Sequence, residues 1–221
     1  MRVANLTNGS TGSGTRSSGS SPRGSSPRDA RSARANRTRA AIADALISLI
    51  CEGVNAPTAA DVARRAGTAV RTVFDHFGDM EGLYTEIIRR TEPRVASLLA
   101  SIDPRFDTGR RVAELVTQRV AIYELIAPLR HAVRTSEHAR SSKAIRDAAR
   151  RLEYVFARIA SETFAEELRG RADRYGVLER IAVHTSFDVW DHFVRVQRLP
   201  VARAQRHMIL TVMREFTDHL A

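Results

Sequence analysis

The fold of this chain is decided by residues 56–77, which read APTAADVARRAGTAVRTVFDHF. The Thr58 hydroxyl can accept a hydrogen bond from the N–H of Asp61 while the Asp61 carboxylate reaches back, so a capping box predicts a helix that begins at Ala59. Gly67 supplies the left-handed conformation at which a helix most easily ends. The stretch therefore opens with one short helix between these two signals.

A second short helix follows after a tight turn and begins at Thr68 or Ala69. Apolar residues recur in it at three- and four-residue steps, which predicts one buried side: Val70, Val73, Phe74 and Phe77. The residues left on the other side are polar: Arg71, Thr72, Asp75 and His76. Two helices joined by a turn that contains Gly are typical of the helix-turn-helix motif, whose second helix enters the DNA major groove.

The same residues resemble the signature of the TetR family of transcriptional regulators, approximately Ala-Gly-Val-Ser-x-x-Thr-hydrophobic-Tyr-x-His-Phe-x-x-Lys-x-x-Leu. The positions that match are Ala66, Gly67, Thr72, Val73, His76, Phe77 and Leu83. The specific resemblance covers residues 37–83, and beyond it only the length and the helical layout agree. It implies an all-α regulator with an amino-terminal three-helix DNA-binding domain and a carboxy-terminal helical domain.

Three departures from that signature matter for phosphate binding. Ala69 stands in place of the usual Ser, Phe74 in place of Tyr, and Met80 in place of Lys. In the family all three residues commonly touch phosphates, and each replacement removes a hydrogen-bond donor. We therefore expect the head to hold phosphates more weakly than a typical member does.

The resemblance also implies which residues meet DNA. The full set is Thr58, Ala69, Val70, Arg71, Thr72, Asp75 and His76. We expect Val70, Arg71 and Asp75 near base edges, and the expected phosphate contacts are Thr58, Thr72 and His76. Arg71 could read guanine through two parallel hydrogen bonds.

Composition bounds the class of protein. The chain has 221 residues and one cysteine, so it can bury a substantial core but cannot form an internal disulfide. No run of about 18 apolar residues occurs and the first 30 residues hold no apolar block, so we expect neither a membrane span nor a secretory signal. These features favour the cytoplasm, and Cys51 is expected to be a small buried apolar residue.

The formal charge of +10 is unevenly distributed. Residues 1–40 carry eight arginines against one aspartate, whereas residues 41–90 carry five arginines against seven acidic residues. Residues 1–35 are rich in Ser, Gly and Arg and are predicted to be a disordered basic arm. Such an arm can bind phosphates through counterion release or can be a flexible tail, and both interpretations remain open.

The domain prediction assigns residues 36–83 to the DNA-binding head and residues 84–221 to an effector-binding and dimerisation domain. The helices predicted outside the motif are residues 37–52, 80–101, a helix from about Thr108, one from about Ser142, and residues 173–197 and 201–220. Pro93 either kinks the second of these or divides it. No strand is expected.

The last predicted helix carries an apolar stripe with no later residues in the sequence to cover it: Ile209, Val212, Met213, Phe216 and Leu220. Such a stripe invites a second copy of the chain. The resemblance implies a homodimer in which the last two helices of each subunit pair, and twofold symmetry then predicts a palindromic DNA operator.

The predicted carboxy-terminal domain holds aromatic and polar residues of the kind that line pockets between bundle helices. The residues expected at an effector are Tyr123, His131, Tyr154, Phe156, His184, Phe187 and Trp190. His184, Asp188 and His192 recur at four-residue steps, which could place a metal site on one helix face, although ordinary hydrogen-bonded or interface polar residues explain the same spacing more simply and are the favoured interpretation. No cofactor is expected.

An enzymatic function is not favoured, because the sequence has no nucleophile elbow, no phosphate-binding Gly-rich loop and no Cys–His spacing. The favoured function is a ligand-responsive DNA-binding regulator. Repression is inferred from the resemblance alone. The alternative is a TetR-like ligand-binding dimer whose DNA binding is weakened or depends on a partner.

Overall fold

The structure is a computed structural model and describes residues 27–54 and 56–217. These residues form helices and loops without a strand, which confirms the all-α prediction. The helices are α1 (Pro27–Cys51), α2 (Ala59–Ala66), α3 (Val70–Phe77), α4 (Met80–Leu98), α5 (Thr108–Thr135), α6 (Glu137–Ser141), α7 (Lys143–Thr163), α8 (Arg174–His184), α9 (Phe187–Asp191) and α10 (Val201–Thr217). A π-helical turn, His192–Val196, follows α9 directly.

Helix α1 begins ten residues before the predicted start, at Pro27. Proline is favoured at the first helical position, and the next ten residues are mainly Ala and Arg, which have high helix propensity. They carry no apolar stripe, so a search for periodicity does not find them. A division into two units falls inside this helix, between Arg37 and Thr38. The rest of the predicted arm, residues 1–26, lies outside the described residues.

The head is built from α2, α3 and the adjoining parts of α1 and α4. Its buried residues come from all four helices: Ile42, Leu46, Val62, Ala63, Val73, Phe77, Leu83 and Ile87. The start of α4 passes very close to the end of α3, since a Cβ atom at Gly82 would lie 2.0 Å from the carbonyl oxygen of Phe77. Only glycine allows that approach.

Helix α4 leads from the head into the body of the chain. It continues through Pro93 as one helix, so the alternative in which it ends near Arg90 is wrong. Its first half contributes Leu83 and Ile87 to the core of the head, and its second half packs Val95 and Leu98 against the body. One rigid element therefore belongs to both parts.

The body is a bundle around α5, which runs as a single helix from Thr108 to Thr135 and includes Pro128. Residues along α5 are buried against α7, α8, α9 and α10: Val112, Leu115, Val116, Val120, Ile122 and Tyr123. Helix α7 begins where expected, because the Ser142 hydroxyl accepts a hydrogen bond from the N–H of Ile145.

The predicted helix of residues 173–197 is divided at Thr185 and Ser186. The Tyr123 hydroxyl donates a hydrogen bond to the carbonyl oxygen of Thr185 at 2.5 Å, which takes an acceptor that a continuous helix would use itself. The Ser186 hydroxyl then caps the new helix by accepting from the N–H of Val189. A contact from a distant helix and a local cap together make the break.

The apolar stripe of α10 does not face outward as predicted. Val212 is fully buried, and Ile209, Met213 and Phe216 pack in the same core, with the Phe216 ring 4.7 Å from that of Phe164. Helices α5 and α8 cover this face, while Leu220 lies outside the described residues. The stripe belongs to the core of a single chain, so it gives no argument for a second copy.

Cys51, at the end of α1, was predicted to be buried. Cys51 is exposed, because it follows the last residues of the apolar stripe of α1 and points away from the core. The prediction that it is buried is wrong.

No helix within the described residues has the length and apolar character needed to cross a bilayer.

Candidate nucleic-acid interface and ligand cavity

The two ends of α2 are formed as the sequence predicts. The Thr58 hydroxyl accepts from the N–H of Asp61, and the Asp61 carboxylate accepts from the N–H of Thr58 at 3.0 Å. Gly67 adopts the left-handed conformation with φ 64° and ψ 36°. The capping box and the glycine stop are both confirmed. The Thr58 hydroxyl also donates to Asp61 at 2.6 Å, so the cap engages it fully.

Helix α3 presents a polar face to solvent. The Arg71 side chain is 91% exposed and the Asp75 side chain 65% exposed, and their closest N–O distance of 4.0 Å is a weak ion pair. Ala69 is exposed, and Thr72 and His76 are half-buried. Among the residues that the structure describes, the guanidinium of Arg71 therefore has no strong contact and can reach a ligand.

The apolar face of α3 is narrower than predicted. Val73 and Phe77 are buried, but Val70 is 39% exposed and Phe74 is 43% exposed. The core of the head accommodates only the row formed by Val73 and Phe77. The second row, Val70 and Phe74, lies on the outward side of α3 beside Arg71. Phe74 was predicted to be buried and joins the exposed face instead.

The start of α3 lacks a side-chain cap. Ala69 occupies the N-cap position in an extended conformation, and its methyl side chain accepts no hydrogen bond from the first turn. The N–H groups at this end stay available to an anion, because a helix N-terminus carries unpaired donors and a positive partial charge. This is the physical consequence of Ala at this position.

Arg39 holds the other end of α3, and sequence reasoning missed it. Its guanidinium donates to the carbonyl oxygen of His76 at 2.7 Å and lies 4.4 Å from the ring centroid of Phe77. It also lies 3.4 Å from the carboxylate of Glu86 on α4. The residue links α1, α3 and α4, so it fixes the orientation of α3 without being on the outward face.

Glu86 is a buried carboxylate at the base of the head and was also missed. Arg89 donates to it at 2.7 Å and 3.0 Å, and Arg90 donates at 2.9 Å. The hydrogen bonds from Arg89, followed by those from Arg90 and Arg39, outweigh the effect of burial and lower the pKa of Glu86 to about 2. The group is charged at neutral pH and ties α4 to α1.

A cavity of about 260 Å³ lies in the body between α4, α5, α7 and the start of α9. Its wall is mainly apolar and includes Ile88, Val95, Leu99, Ile126, Leu152 and Val155. A concave, mostly apolar space with a few polar groups is the usual form of a small-molecule site. Five of its charged or polar residues are Thr91, Glu92, Arg130, Arg151 and Glu153.

Comparison with protein families gives a match to the residues that form the head. Residues 41–87 match the model described as bacterial regulatory proteins, tetR family. The head is therefore similar to the amino-terminal domain of the TetR family. The match runs from the second half of α1 through α2 and α3 to Ile87 on α4, which are the elements that form the head, and it confirms the resemblance seen in the sequence.

The solved structure of a proposed TetR-family transcriptional regulator from Mesorhizobium loti MAFF303099 is similar, with 17% identity and a TM-score of 0.45, covering 82% of this chain and 96% of that one. None of the curated proteins matches this chain.

The seven residues predicted to bind an effector do not all line the cavity. Tyr123 and Phe187 line the cavity. Phe156 and Trp190 are buried directly behind these two, with Trp190 ring centroids 5.9 Å from Tyr123 and 5.5 Å from Phe187. Tyr154 is 71% exposed on α7 and does not line the cavity. The alternation of α7 faces explains the difference, since Leu152 and Val155 face the cavity.

His131 and His184 also lie outside the cavity. Nε2 of His131 is 2.7 Å from the carboxylate of buried Asp191, which also accepts from Arg134 at 2.6 Å. Burial raises the pKa of Asp191, but the hydrogen bonds from His131 and Arg134 outweigh it and hold the pKa below its usual value. These residues fasten α9 to α5. His184 is half-buried at the end of α8.

The possible metal site is not formed. His184 ends α8, and Asp188 lies beyond the break, where it accepts from Arg134 at 2.7 Å. No three His, Cys, Asp or Glu side chains come together as a metal site within residues 27–54 and 56–217. The shared helix face that the hypothesis needs is interrupted at Thr185.

Arg119 is a buried cation behind Tyr123. It donates to the Thr185 hydroxyl and, at 3.1 Å, to the carbonyl oxygen of Phe156, whose ring lies 4.8 Å away. Burial lowers the pKa of Arg119, and no carboxylate forms an ion pair with it among the described residues. Its contacts link α5 to α7 and to the break after α8 in the interior of the bundle.

Proposed function

We propose that this protein is a cytoplasmic, ligand-responsive repressor of the TetR family that binds a palindromic operator as a homodimer and has no enzymatic activity. The observation that supports this most strongly is the sharing of α4. Ile88 belongs to the core of the head and also lines the cavity, so one helix contacts both the reading head and the space for a ligand.

The proposed DNA contact surface is the outward side of α3 with the ends of the turn before it. Arg71 reads a base edge, with Val70 and Asp75 beside it, while Thr72 and His76 bind phosphates. The exposed N-terminal amides at Ala69 add a further phosphate contact. Asp61 accepts hydrogen bonds from both the hydroxyl and the N–H of Thr58, so this residue, which was expected at a phosphate, offers no free donor while the cap is closed.

The proposed dimer uses the outward sides of α8 and α10. With the α10 stripe buried, the support comes from large apolar side chains that remain exposed on these two neighbouring helices: Tyr175, Val183 and Leu210. A twofold axis through this face gives two heads, and a common duplex accepts both when the recognition helices are about one DNA turn apart or a small multiple of it.

The proposed response is a population shift. A ligand between α4, α5 and α7 favours those positions of α4 that accommodate it. The first half of α4 contacts the head through Leu83, Ile87 and Glu86, so the head moves with it. If the favoured position moves the two heads out of register with successive grooves, DNA is released. The size of the effect is limited by the preference of the ligand for one state.

A gel-shift titration against the DNA that flanks its own gene tests the proposal. Arg71→Ala is expected to weaken specific binding by about 1–3 kcal/mol and to relax specificity at one base pair. Arg150→Gln, an exposed substitution on α7, is the matched control and should leave binding unchanged. Equal specific and nonspecific binding by the wild-type chain would contradict the proposal.

A second candidate function is a ligand-binding dimer with weak or partner-dependent DNA binding. It is favoured by one observation: Ala69, Phe74 and Met80 offer no side-chain donor to phosphate, and Ala69 leaves α3 uncapped. The same titration separates the two functions, because this candidate predicts no shift at low micromolar protein in the absence of a partner.

A further inference from the structure

The polar groups in the cavity wall differ in whether they already have partners. The Thr91 hydroxyl donates to the carbonyl oxygen of Ile87 at 2.9 Å, and the Tyr123 hydroxyl donates to Thr185. Glu92 and Arg151 pair with each other at 2.5 Å on the exposed rim. These groups have little capacity left to orient a ligand.

Two charged groups remain. Arg130 and Glu153 line the cavity, and neither forms a hydrogen bond or an ion pair with another residue in the described part of the chain. Glu153 is exposed, so water satisfies its carboxylate. Arg130 is half-buried, which makes a ligand acceptor more valuable to it than to an exposed side chain.

The guanidinium of Arg130 is held in position by an aromatic ring. Its central carbon lies 4.8 Å from the ring centroid of Phe187. Phe187 is fixed in turn by Tyr123 at 5.6 Å and Trp190 at 5.5 Å. Stacking on a ring uses the face of a guanidinium and leaves its N–H edge free, which is the edge that binds a carboxylate through two hydrogen bonds.

We propose that the cavity binds a small amphipathic carboxylate, with Arg130 as the anchor of the anionic group and the apolar wall around the rest of the molecule. The proposal rests on the ligand-binding role of the cavity given above and names the class of ligand. The rim pair Glu92–Arg151 is neutral overall and the Glu153 carboxylate is exposed to solvent, so Arg130 is the half-buried charge that selects the ligand, and it is positive.

The volume limits the size of this ligand. A hydrocarbon cavity of about 150 Å³ accepts benzene, so the cavity of about 260 Å³ has room for roughly ten to fifteen non-hydrogen atoms. A single ring with a short acid chain, or a linear acid of about eight carbons, matches that size. A larger polycyclic molecule would require the helices to separate.

Matched probes test the charge preference directly. The carboxylates are 3-phenylpropionate and octanoate, and the alcohol and the amine of the same two skeletons are the comparisons. Binding to the full chain without DNA is followed by the fluorescence of Trp190, the sole tryptophan, and by melting temperature. We expect each carboxylate to bind about ten- to a hundredfold more tightly than its alcohol or amine.

Variants assign the preference to one residue. Arg130→Met keeps the apolar stem and should remove the advantage of the carboxylate over the alcohol, while Arg130→Lys should retain part of it. Arg150→Gln on the outside of α7 should change nothing. The melting temperature of each unliganded variant shows that it is folded, and binding of the alcohols by Arg130→Met shows that its cavity is intact.

The results separate this proposal from the proposed function. Equal or tighter binding of the alcohols or amines, failure of both carboxylates to bind, or an unchanged preference in Arg130→Met would overturn the carboxylate proposal and leave DNA binding and repression standing. Tight carboxylate binding with no change in operator affinity would support the carboxylate proposal and contradict ligand-responsive repression.

Discussion

Glu86 illustrates how a single residue makes the head sensitive to acid. Its carboxylate is buried among three arginines, and the hydrogen bonds from Arg89 contribute most to lowering its pKa from 4.5 to about 2. A lowered pKa means that the folded state favours the charged form. The stabilisation is therefore complete above the unfolded pKa and is lost as the pH falls through the folded pKa.

The corresponding prediction concerns Glu86→Gln. The wild-type chain should be more stable than the variant by up to roughly 3 kcal/mol near pH 7, because a pKa lowered from 4.5 to about 2 corresponds to an energy of that order. Urea unfolding at a series of pH values should show the difference shrinking from pH 4.5 downward. Glu166→Gln, at an exposed pair with Arg169, is the control. A difference that is independent of pH would contradict this account.

Ala69 is the residue at which a single hydroxyl should change both stability and DNA binding. Ala69→Ser supplies the missing N-cap of α3, which is worth about 1 kcal/mol and raises the melting temperature by roughly 2–4 °C. The new hydroxyl also offers a phosphate contact, so operator affinity should rise. Scanning calorimetry and DNA titration measure the two effects.

The control for that variant is Ala157→Ser, at an exposed position within α7. There the same change has no cap to form and should lower the melting temperature slightly, because serine has a lower helix propensity than alanine. If Ala69→Ser lowered the melting temperature as well, the N-cap of α3 would not be at residue 69.

At the scale of the element, α3 depends on its surroundings. An eight-residue helix is not stable alone, so the reading face is held by Val73 and Phe77 below it and by Arg39 at its C-terminal end. Arg39 makes its contacts with the protein, unlike Arg71, whose guanidinium is exposed. The two arginines should therefore behave differently in DNA binding.

Arg39→Met is predicted to reduce operator affinity by about tenfold, because α3 loses a charge-assisted hydrogen bond and a cation–π contact worth about 1–2 kcal/mol together. The dependence of affinity on salt should keep its slope, since no phosphate contact is removed. DNA titrations at several salt concentrations measure both quantities. A slope smaller by about one would instead show that Arg39 itself binds phosphate.

The elements differ in how far the sequence predicts them. The ends of α2 follow from Thr58, Asp61 and Gly67, which act within a few residues of one another, so local chemistry is sufficient. The break after α8 follows from Tyr123, 62 residues away, and no local pattern reports it. For the same reason, periodicity placed Phe74 in the core, although the space under α3 admits only one apolar row.

The cavity shows the same division. Tyr123 and Phe187 were predicted at the effector site and line the cavity, whereas Phe156 and Trp190 form the layer behind them. Both layers are aromatic and buried, so composition and spacing do not distinguish wall from support. Arg130 was missed because a lone arginine in an arginine-rich chain has no distinctive sequence pattern. Its contact with the Phe187 ring, and its lack of an ion-pair partner among the described residues, are visible only in three dimensions.

At the scale of the whole molecule, head and body share one core through α4. Ile145 on α7 is buried in the same cluster as Leu83 and Ile87, and the backbone N–H of Ala144 donates to the carboxylate of Glu81 at 2.8 Å. The start of α7 therefore contacts the first turn of α4, and the rest of α7 forms a cavity wall. A ligand that shifts α7 or α4 changes contacts that also position the head.

This arrangement makes a quantitative prediction about coupling. If a carboxylate ligand lowers operator affinity by some factor, then bound operator must lower the affinity for that ligand by the same factor, which is typically 5- to 150-fold. Operator titrations with and without saturating ligand give one value, and ligand titrations followed by Trp190 fluorescence with and without saturating operator give the other. Arg130→Met should abolish both changes together for the carboxylate while leaving operator affinity without ligand unchanged. Factors of one in both titrations would contradict coupling through α4, whereas unequal factors would show that the two titrations involve different species, such as a free monomer.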